Sequence, residues 1–385
     1  MVDLPVSARA EAVVDLDAIR HNIEVLRAAT APGAAVMAVV KSDGYGHGAV
    51  AVGRAALEAG ATWLGVCTLE EAMQLRHGGI TAPVLCWLHL PDDDFTEAVA
   101  AGVDLSISSR RHLAGVLAGA RRAGRPARLH LKADTGATRG GAQPTDWPDL
   151  LDDATKAVAD GIAEVVAVWS HLANADVPDH PSNDLQKARL TTAWQAAKER
   201  GLSPIRHLAN SAATLTRPDM HFDLVRPGIA VYGLDPLDRQ PARSPLRPAM
   251  TLRCKVALVK RVPAGEGVSY GHEWTTPGET TLALLPIGYA DGVPRRLGRD
   301  GRMQVLLGGV VRPVVGRVCM DQVMVDCGDD PVREGDAAVL FGSGDHGEPT
   351  AQDWADELGT IHYEIVTGLH WRRITRTVVG TGAPS

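Results

Sequence analysis

The sequence predicts a (β/α)8 barrel followed by a mainly β domain, and three observations carry that prediction. Eight short apolar runs alternate with amphipathic stretches over the first part of the chain; after Pro245 the rhythm changes to strands broken by Gly and Pro; and 385 residues exceed what one core ordinarily supports. The predicted barrel strands are, in order, Val36 to Lys41, Trp63 to Thr68, Val84 to His89, Asp104 to Ser109, Ala127 to Asp134, Val165 to His171, Ile205 to Asn210 and Phe222 to Arg226. Between the second and third, Leu69 to Arg76 changes the apolar period from two to about 3.6, the mark of a helix. Strands alternating with helices require right-handed crossovers and a parallel sheet, and eight such units can close into a barrel. An open doubly wound sheet is the alternative, but no GxGxxG follows any of the runs.

In the second part, strands are predicted at Leu252 to Val262, Thr280 to Ile287, Met303 to Val311, Gln322 to Asp326 and Ala337 to Phe341, with one clear helix near Gln352 to Leu358. Asp235 to Pro245 is the best boundary. The expected domains are therefore 12–244 and 245–385, the second being one that an N-terminal strand within 1–11 could join.

Composition excludes several classes of function. A net charge of −7, spread along the chain without a basic stripe, argues against nucleic acid as a partner. No uncharged stretch approaches the roughly 20 residues that span a bilayer, and residues 1–11 lack the pattern of a secretory signal, so a cytoplasmic protein that does not engage membranes is expected. Five scattered cysteines without a CxxC pair make a zinc site or a disulfide framework improbable, and no metal is expected.

Barrel active sites gather at the C-terminal ends of the strands. There the first strand offers Lys41, followed by Ser42-Asp43-Gly44-Tyr45-Gly46-His47-Gly48; the fifth Lys132 to Gly136 and then Arg139; the sixth His171; the seventh Asn210-Ser211; the eighth Arg226-Pro227-Gly228. A strand-end lysine is more often a solvated rim residue. Partial burial, however, lowers an ammonium pKa and frees a nucleophilic amine, which suits a Schiff base with pyridoxal phosphate. Five polar strand ends on one rim favour a site. Ser211 and Gly228-Ile229 occupy the loops after strands seven and eight, where barrels frequently hold a phosphate.

Taken in order along the chain, its motifs resemble those of the bacterial alanine racemases over nearly the whole length. The resemblance is carried in order by Ala38 to Gly48, Asp134-Thr135-Gly136 with Arg139, Ser170-His171, Asn210-Ser211-Ala212, Val225 to Gly228, Gly267 to Gly271, Pro286 to Gly292 and Gly316 to Asp321. It implies pyridoxal 5′-phosphate as cofactor, L-alanine and D-alanine as substrates, and a homodimer with active sites at the subunit interface. Two-base proton transfer at the α-carbon of the cofactor aldimine would interconvert the enantiomers and supply D-alanine for cell-wall precursors. Lys41 then corresponds to the cofactor lysine and the base for D-alanine, and Tyr270 of the partner subunit to the base for L-alanine. Tyr45, Ser211, Gly228, Ile229 and Tyr363 correspond to phosphate contacts, Arg226 to the arginine facing the pyridine nitrogen, and His171 to the histidine linking that arginine to the tyrosine base. Arg139, Met320 and Asp321 correspond to residues near the phenolic oxygen and the substrate carboxylate, and Tyr289 with Tyr363 to the inner gate of the entry channel. Lys132 corresponds to a lysine that is carbamylated in some members. A racemase of the same fold with broader or serine preference is the alternative.

These roles make chemical sense. A ring nitrogen facing a guanidinium stays unprotonated, because adjacent positive charges repel. A phenol ordinarily titrates at about 10, so a tyrosine base needs cationic neighbours, here Arg226 through His171, or Arg139. Of the five tyrosines, only Tyr232 falls outside the implied site and is expected to fill core. The chain departs from the family around Arg139, where Ala137, Thr138 and Gly140 replace larger or different groups, and this leaves the packing of that guanidinium open.

Overall fold

The computed structural model describes residues 8–237, 239 and 243–381. Eight parallel strands close a barrel in chain order: β2 (Ala35–Val39), β3 (Trp63–Val66), β4 (Val84–Cys86), β5 (Asp104–Ile107), β6 (Ala127–Lys132), β7 (Ala163–Trp169), β8 (Ile205–His207) and β9 (Leu224–Val225). Closure is made by Ala35 opposite Leu224 and Val36 opposite Val225. The β-branched and leucine side chains facing outward pack under the helices in one continuous core. Inside the barrel, Met37, Leu85 and Leu224 pack with Trp63 and Trp87. Most strands stop earlier than the sequence predicts: β2 at Val39, β7 at Trp169 and β8 at His207, not at Lys41, His171 and Asn210. The polar residues at the rim therefore sit on turns, where each backbone conformation aims its own side chain.

The second domain is a nine-stranded sheet formed by β1 (Ala10–Asp15), β10 (Met250–Lys255), β11 (Leu258–Val262), β14 (Thr280–Leu285), β15 (Gln304–Leu307), β16 (Val310–Val315), β17 (Val323–Asp326), β18 (Ala337–Phe341) and β19 (Thr375–Val379). A small hairpin, β12 (Gly267–Val268) with β13 (Trp274–Thr275), stands beside it. β1 lies between β10, to which it is antiparallel, and β19, to which it is parallel, before Asp15 caps the first barrel helix, Leu16–Ala29. Residues 1–7 of the expected N-terminal strand, and 238 and 240–242 of the boundary stretch, lie outside the described residues.

Several expected elements divide. The run from Leu252 to Val262 is two strands, because the chain changes partners: Val256 bonds to Asp336 beside β18, whereas Ala257 bonds to Leu284 of β14. The run from Met303 to Val311 is a hairpin. Gly308 and Gly309, at φ 63° and 75°, form the two-residue turn with two positive φ angles that matches strand twist. Two helices, Ala351–Leu358 and His362–Thr367, replace the single one expected.

Glu11 and Arg253 are both fully buried where β1 meets β10, 2.8 Å apart, and Glu11 also accepts a hydrogen bond from Thr377 of β19 at 2.8 Å. One carboxylate thus ties three strands. Glu11→Ala should cost about 3–5 kcal/mol, because it strips a buried guanidinium of its carboxylate. Urea unfolding of the variant measures that cost, and a change below about 1 kcal/mol would exclude this role.

Candidate active site

The turn after β2 presents Lys41. Ser42, Asp43, Gly44 and Tyr45 all adopt left-handed backbone conformations, with φ between 50° and 63°, an arrangement costing roughly 1–2 kcal/mol for each residue with a side chain. It is held from three directions. Glu71 accepts from the Ser42 and Cys67 N–H groups at 2.6 and 2.7 Å; Asp43 accepts from Ala49 N–H at 3.0 Å; and Arg376 of β19 reaches Asp43 at 2.6 Å. Glu71 also completes the capping box of helix Leu69–His77 with Thr68. Glu71 is a further residue of the site, and Thr68-Leu69-Glu70-Glu71 carries the capping-box signature in the sequence.

The Lys41 amine lies 5.8 Å from the centre of the Tyr45 ring. Tyr45 in turn packs 4.8 Å from Tyr232 and 6.1 Å from Tyr363. Burial, and then the neighbouring Tyr363, push the Tyr45 phenol well above its ordinary pKa, so it remains a hydroxyl donor. Tyr232 is core, as expected: fully buried, it donates to Val39 carbonyl at 2.9 Å beneath this stack. At Gly228 a Cβ would stand 2.5 Å from the Tyr45 hydroxyl, so any side chain there would have to displace that ring. The Ser211 hydroxyl accepts from the N–H groups of Gly228 and Ala230 at 2.8 and 3.3 Å, and Ile229 is buried between them. Backbone N–H groups, a serine and a buried tyrosine gather at these two turns, and that donor set fits a phosphate.

Arg226 is buried under the rim and takes neutral acceptors: His207 Nδ1 at 3.0 Å, the Ser170 carbonyl at 2.8 Å and His171 Nδ1 at 3.3 Å. Its guanidinium lies 4.7 Å from the Trp169 ring. Burial pushes it down to about 9, which still leaves a cation at neutral pH. Burial, then Arg226, Arg139 and Lys132, hold His171 well below its ordinary value, so it is neutral. Lys132 is pushed down to about 8 by burial and by Arg226 and Arg139, and its amine lies 4.5 Å from Trp169. Gln186, from helix Pro181–Glu199, donates to the His171 carbonyl and Thr135 at 2.9 and 3.2 Å and so anchors the loop; a polar residue in a long helix gave no sign of this in sequence. Around Arg139, Asp134 accepts from Gly136, Thr138 and Gln143, and Thr138 is held at φ 50°.

The remaining predicted residues form a second group on the β domain. Tyr270 follows β12 in a tight turn and is 72% exposed; Met320 is 52% exposed. Ser269 links the two segments, its hydroxyl donating to the Arg317 carbonyl at 3.0 Å and lying 3.1 Å from Cys319 Sγ. Tyr289 N–H bonds to the Cys319 carbonyl at 3.0 Å and Ala290 N–H to that of Met320 at 2.9 Å. Below them Asp291 is fully buried between Arg9 and Arg373, at 2.7 and 2.9 Å, and Arg373 also pairs with Asp321. Burial would raise the Asp291 pKa; the two guanidinium groups outweigh it and hold the carboxyl below its ordinary value. The structure thus brings Lys41, Tyr45, Tyr363, Ser211, Gly228, Arg226, His171, Lys132 and Arg139 to one rim, and Tyr270, Tyr289, Met320 and Asp321 to one face of the other domain. Among the described residues there is no cluster of side chains that could hold a metal, and no helix is long and apolar enough to cross a membrane.

Fold and rim together define a two-domain barrel protein with its candidate site at the C-terminal ends of the barrel strands. Residues 14–236 match the alanine racemase N-terminal domain and 249–378 the alanine racemase C-terminal domain. The chain is 58% identical over 373 residues to the alanine racemase of Salinispora arenicola, covering 97% of this chain and 99% of that one, and 54% identical over 378 residues to that of Mycobacterium ulcerans, covering 97% and 96%. The crystal structure of alanine racemase from the D-cycloserine producer Streptomyces lavendulae superimposes with a TM-score of 0.92 at 51% identity, covering 97% of this chain and 98% of that one. The chain belongs to the alanine racemase family, which uses pyridoxal phosphate, and it is an isomerase with alanine racemase activity.

Proposed function

We propose that Lys41 and Tyr270 are the two bases of this racemase, Lys41 serving D-alanine and Tyr270 of a second subunit serving L-alanine from the opposite face. Pyridoxal phosphate, when bound, acidifies the α-hydrogen of an attached amino acid by drawing electron density into its ring. Lys41 carries the cofactor and moves the proton on one face; Tyr270 moves it on the other. The observation that carries this reading is Arg226, a buried cation whose partners are neutral. Arg226 would hold a fixed positive charge beside the ring nitrogen of the bound cofactor; such a charge would disfavour a proton there and leave the ring a weak electron sink, which favours return of the α-proton to carbon. Carboxylate partners at that position would do the reverse. His171, neutral and touching Arg226, relays that positive field toward the tyrosine base. Tyr45, Tyr363, Ser211, Gly228 and Ile229 take the phosphate; Arg139, Met320 and Asp321 take the substrate carboxylate side; Tyr289 and Tyr363 narrow the entry. Lys132, with its lowered pKa, has the free amine that carbamylation needs, and a carbamate there would sit as an anion between Arg226 and Arg139. The exposed Tyr270 and Met320 support a head-to-tail homodimer, in which the β domain of one subunit covers the rim of the other. Five unpaired cysteines fit a cytoplasmic setting.

Optical rotation of the purified protein with L-alanine, and separately with L-serine, tests the assignment. Rotation should decay with alanine as the better substrate, the visible cofactor band should vanish in Lys41→Ala, and a serine rate above the alanine rate would replace alanine as the preferred substrate. Gly228→Ala probes the phosphate contacts: its methyl displaces the Tyr45 hydroxyl, and cofactor retention on dialysis should fall about tenfold or more, the equivalent of one or two lost hydrogen bonds to a charged group. Unaltered retention would remove Tyr45 and Gly228 from the phosphate site.

A further inference from the structure

Arg226 is one end of a hydrogen-bonded line that crosses the barrel interior. His207 Nε2 lies 2.9 Å from His130 Nδ1, and His130 Nε2 lies 3.0 Å from Asp104 Oδ2. Asp104 Oδ1 accepts from Arg128 Nε at 2.6 Å, and Arg128 meets Glu164 at 2.7 Å at the far end of the barrel. His130, His207 and Asp104 are wholly buried. The strand alternation explains the placement: in β6, Arg128, His130 and Lys132 share the inward face and Leu129 and Leu131 the outward one.

The two ends dictate the direction of every bond between them. A guanidinium only donates and an ionised carboxylate only accepts. His207 must therefore present a bare Nδ1 to Arg226 and donate from Nε2, and His130 must accept at Nδ1 and donate from Nε2 to Asp104. Both rings are neutral in this arrangement, and each of their four nitrogens is satisfied. Burial, then Arg226 and His130, hold His207 well below its ordinary pKa, in keeping with a ring that stays neutral. Burial would raise Asp104, but the hydrogen bonds from His130 and Arg128 outweigh it and hold the carboxyl below its ordinary value, so the line ends in an anion.

We infer that Asp104 is a positioning residue for Arg226: acting through His130 and His207 from across the barrel, it fixes the His207 tautomer that accepts from the guanidinium and so holds that charge against the cofactor ring. This rests on the reading of Arg226 as the partner of the ring nitrogen. Without the anchor, His207 is free to turn an N–H toward Arg226, a donor against a donor, and the guanidinium loses its hold. His130→Phe cuts the line while sparing the Asp104–Arg128 pair, and Asp104→Asn replaces the anion with a group of the same shape.

Nitrogen-15 spectra of the histidine rings in cofactor-free protein read the tautomers directly. Wild type should show His130 and His207 protonated at Nε2 and bare at Nδ1. His130→Phe should shift His207 toward the Nδ1-protonated form, and Asp104→Asn should do the same to both rings. With ring-labelled pyridoxal phosphate bound, the pyridine nitrogen signal should move in both variants relative to wild type. A wild-type His207 protonated at Nδ1, or a His207 tautomer and pyridine nitrogen unchanged in both folded variants, overturns the inference. A wild-type protein that binds no pyridoxal phosphate would sink the functional reading alone, since the tautomers are measured without it.

Discussion

In deuterium oxide, the Tyr270→Phe enzyme should exchange the α-hydrogen of D-alanine with retained configuration, while exchange from L-alanine and net racemisation fall by about 100-fold or more. That magnitude is what loss of one general base costs. The asymmetry matters more than the size. Tyr270 stands on the β domain in a tight turn and is itself 72% exposed, whereas the lysine turn, Tyr45 and the Ser211–Gly228 contacts belong to the barrel. Removing one hydroxyl from the first group leaves the second intact, so either enantiomer should still change the cofactor spectrum. Proton NMR of the α-position, run from each enantiomer separately, gives the two rates. Equal loss from both enantiomers, with cofactor still bound, would mean a single base serving both faces.

The second large effect is complementation. Lys41→Ala and Tyr270→Ala homodimers should each be inactive, yet mixing them under subunit-exchange conditions should restore roughly a quarter of wild-type activity: half of the dimers become mixed, and each holds one complete site of two, as an isologous two-fold assembly requires. Labelled subunits verify that exchange has taken place. Verified exchange without recovered activity would place lysine and tyrosine on the same chain.

How much of this could be read beforehand depends on distance along the chain. Period-two apolar runs and their spacing made the barrel legible, because each strand announces itself within a few residues. Rim residues such as Lys41, Ser211 and Arg226 were legible because strand ends in a barrel share a face. Strand boundaries were not, since the left-handed turn at Ser42–Tyr45 depends on Glu71 and Arg376, distant in sequence. The hairpin at Gly308-Gly309 was visible in principle and was read as a continuous strand because its flanks are uniformly apolar. Gln186, His207 and His130 looked like ordinary helix and strand residues; only closure of the barrel sets them next to His171 and Arg226. Tyr289, Asp321 and Asp291 entered through motifs, but the Arg9–Asp291–Arg373 chain that binds them joins segments more than 280 residues apart, beyond any local pattern.

The position of β1 between β10 and β19 has a consequence for biosynthesis. This strand leaves the ribosome first among the described elements, yet its antiparallel neighbour follows only after the whole barrel and its parallel neighbour only near the end of the chain. At about 5–20 residues per second, Ala10–Asp15 waits on the order of 20 to 70 seconds for Thr375–Val379. Meanwhile a largely apolar strand with both edges open is available to any other nascent chain. The barrel can mature while β1 is still unplaced, so the interval between barrel and sheet completion is when this protein is most exposed to misassembly.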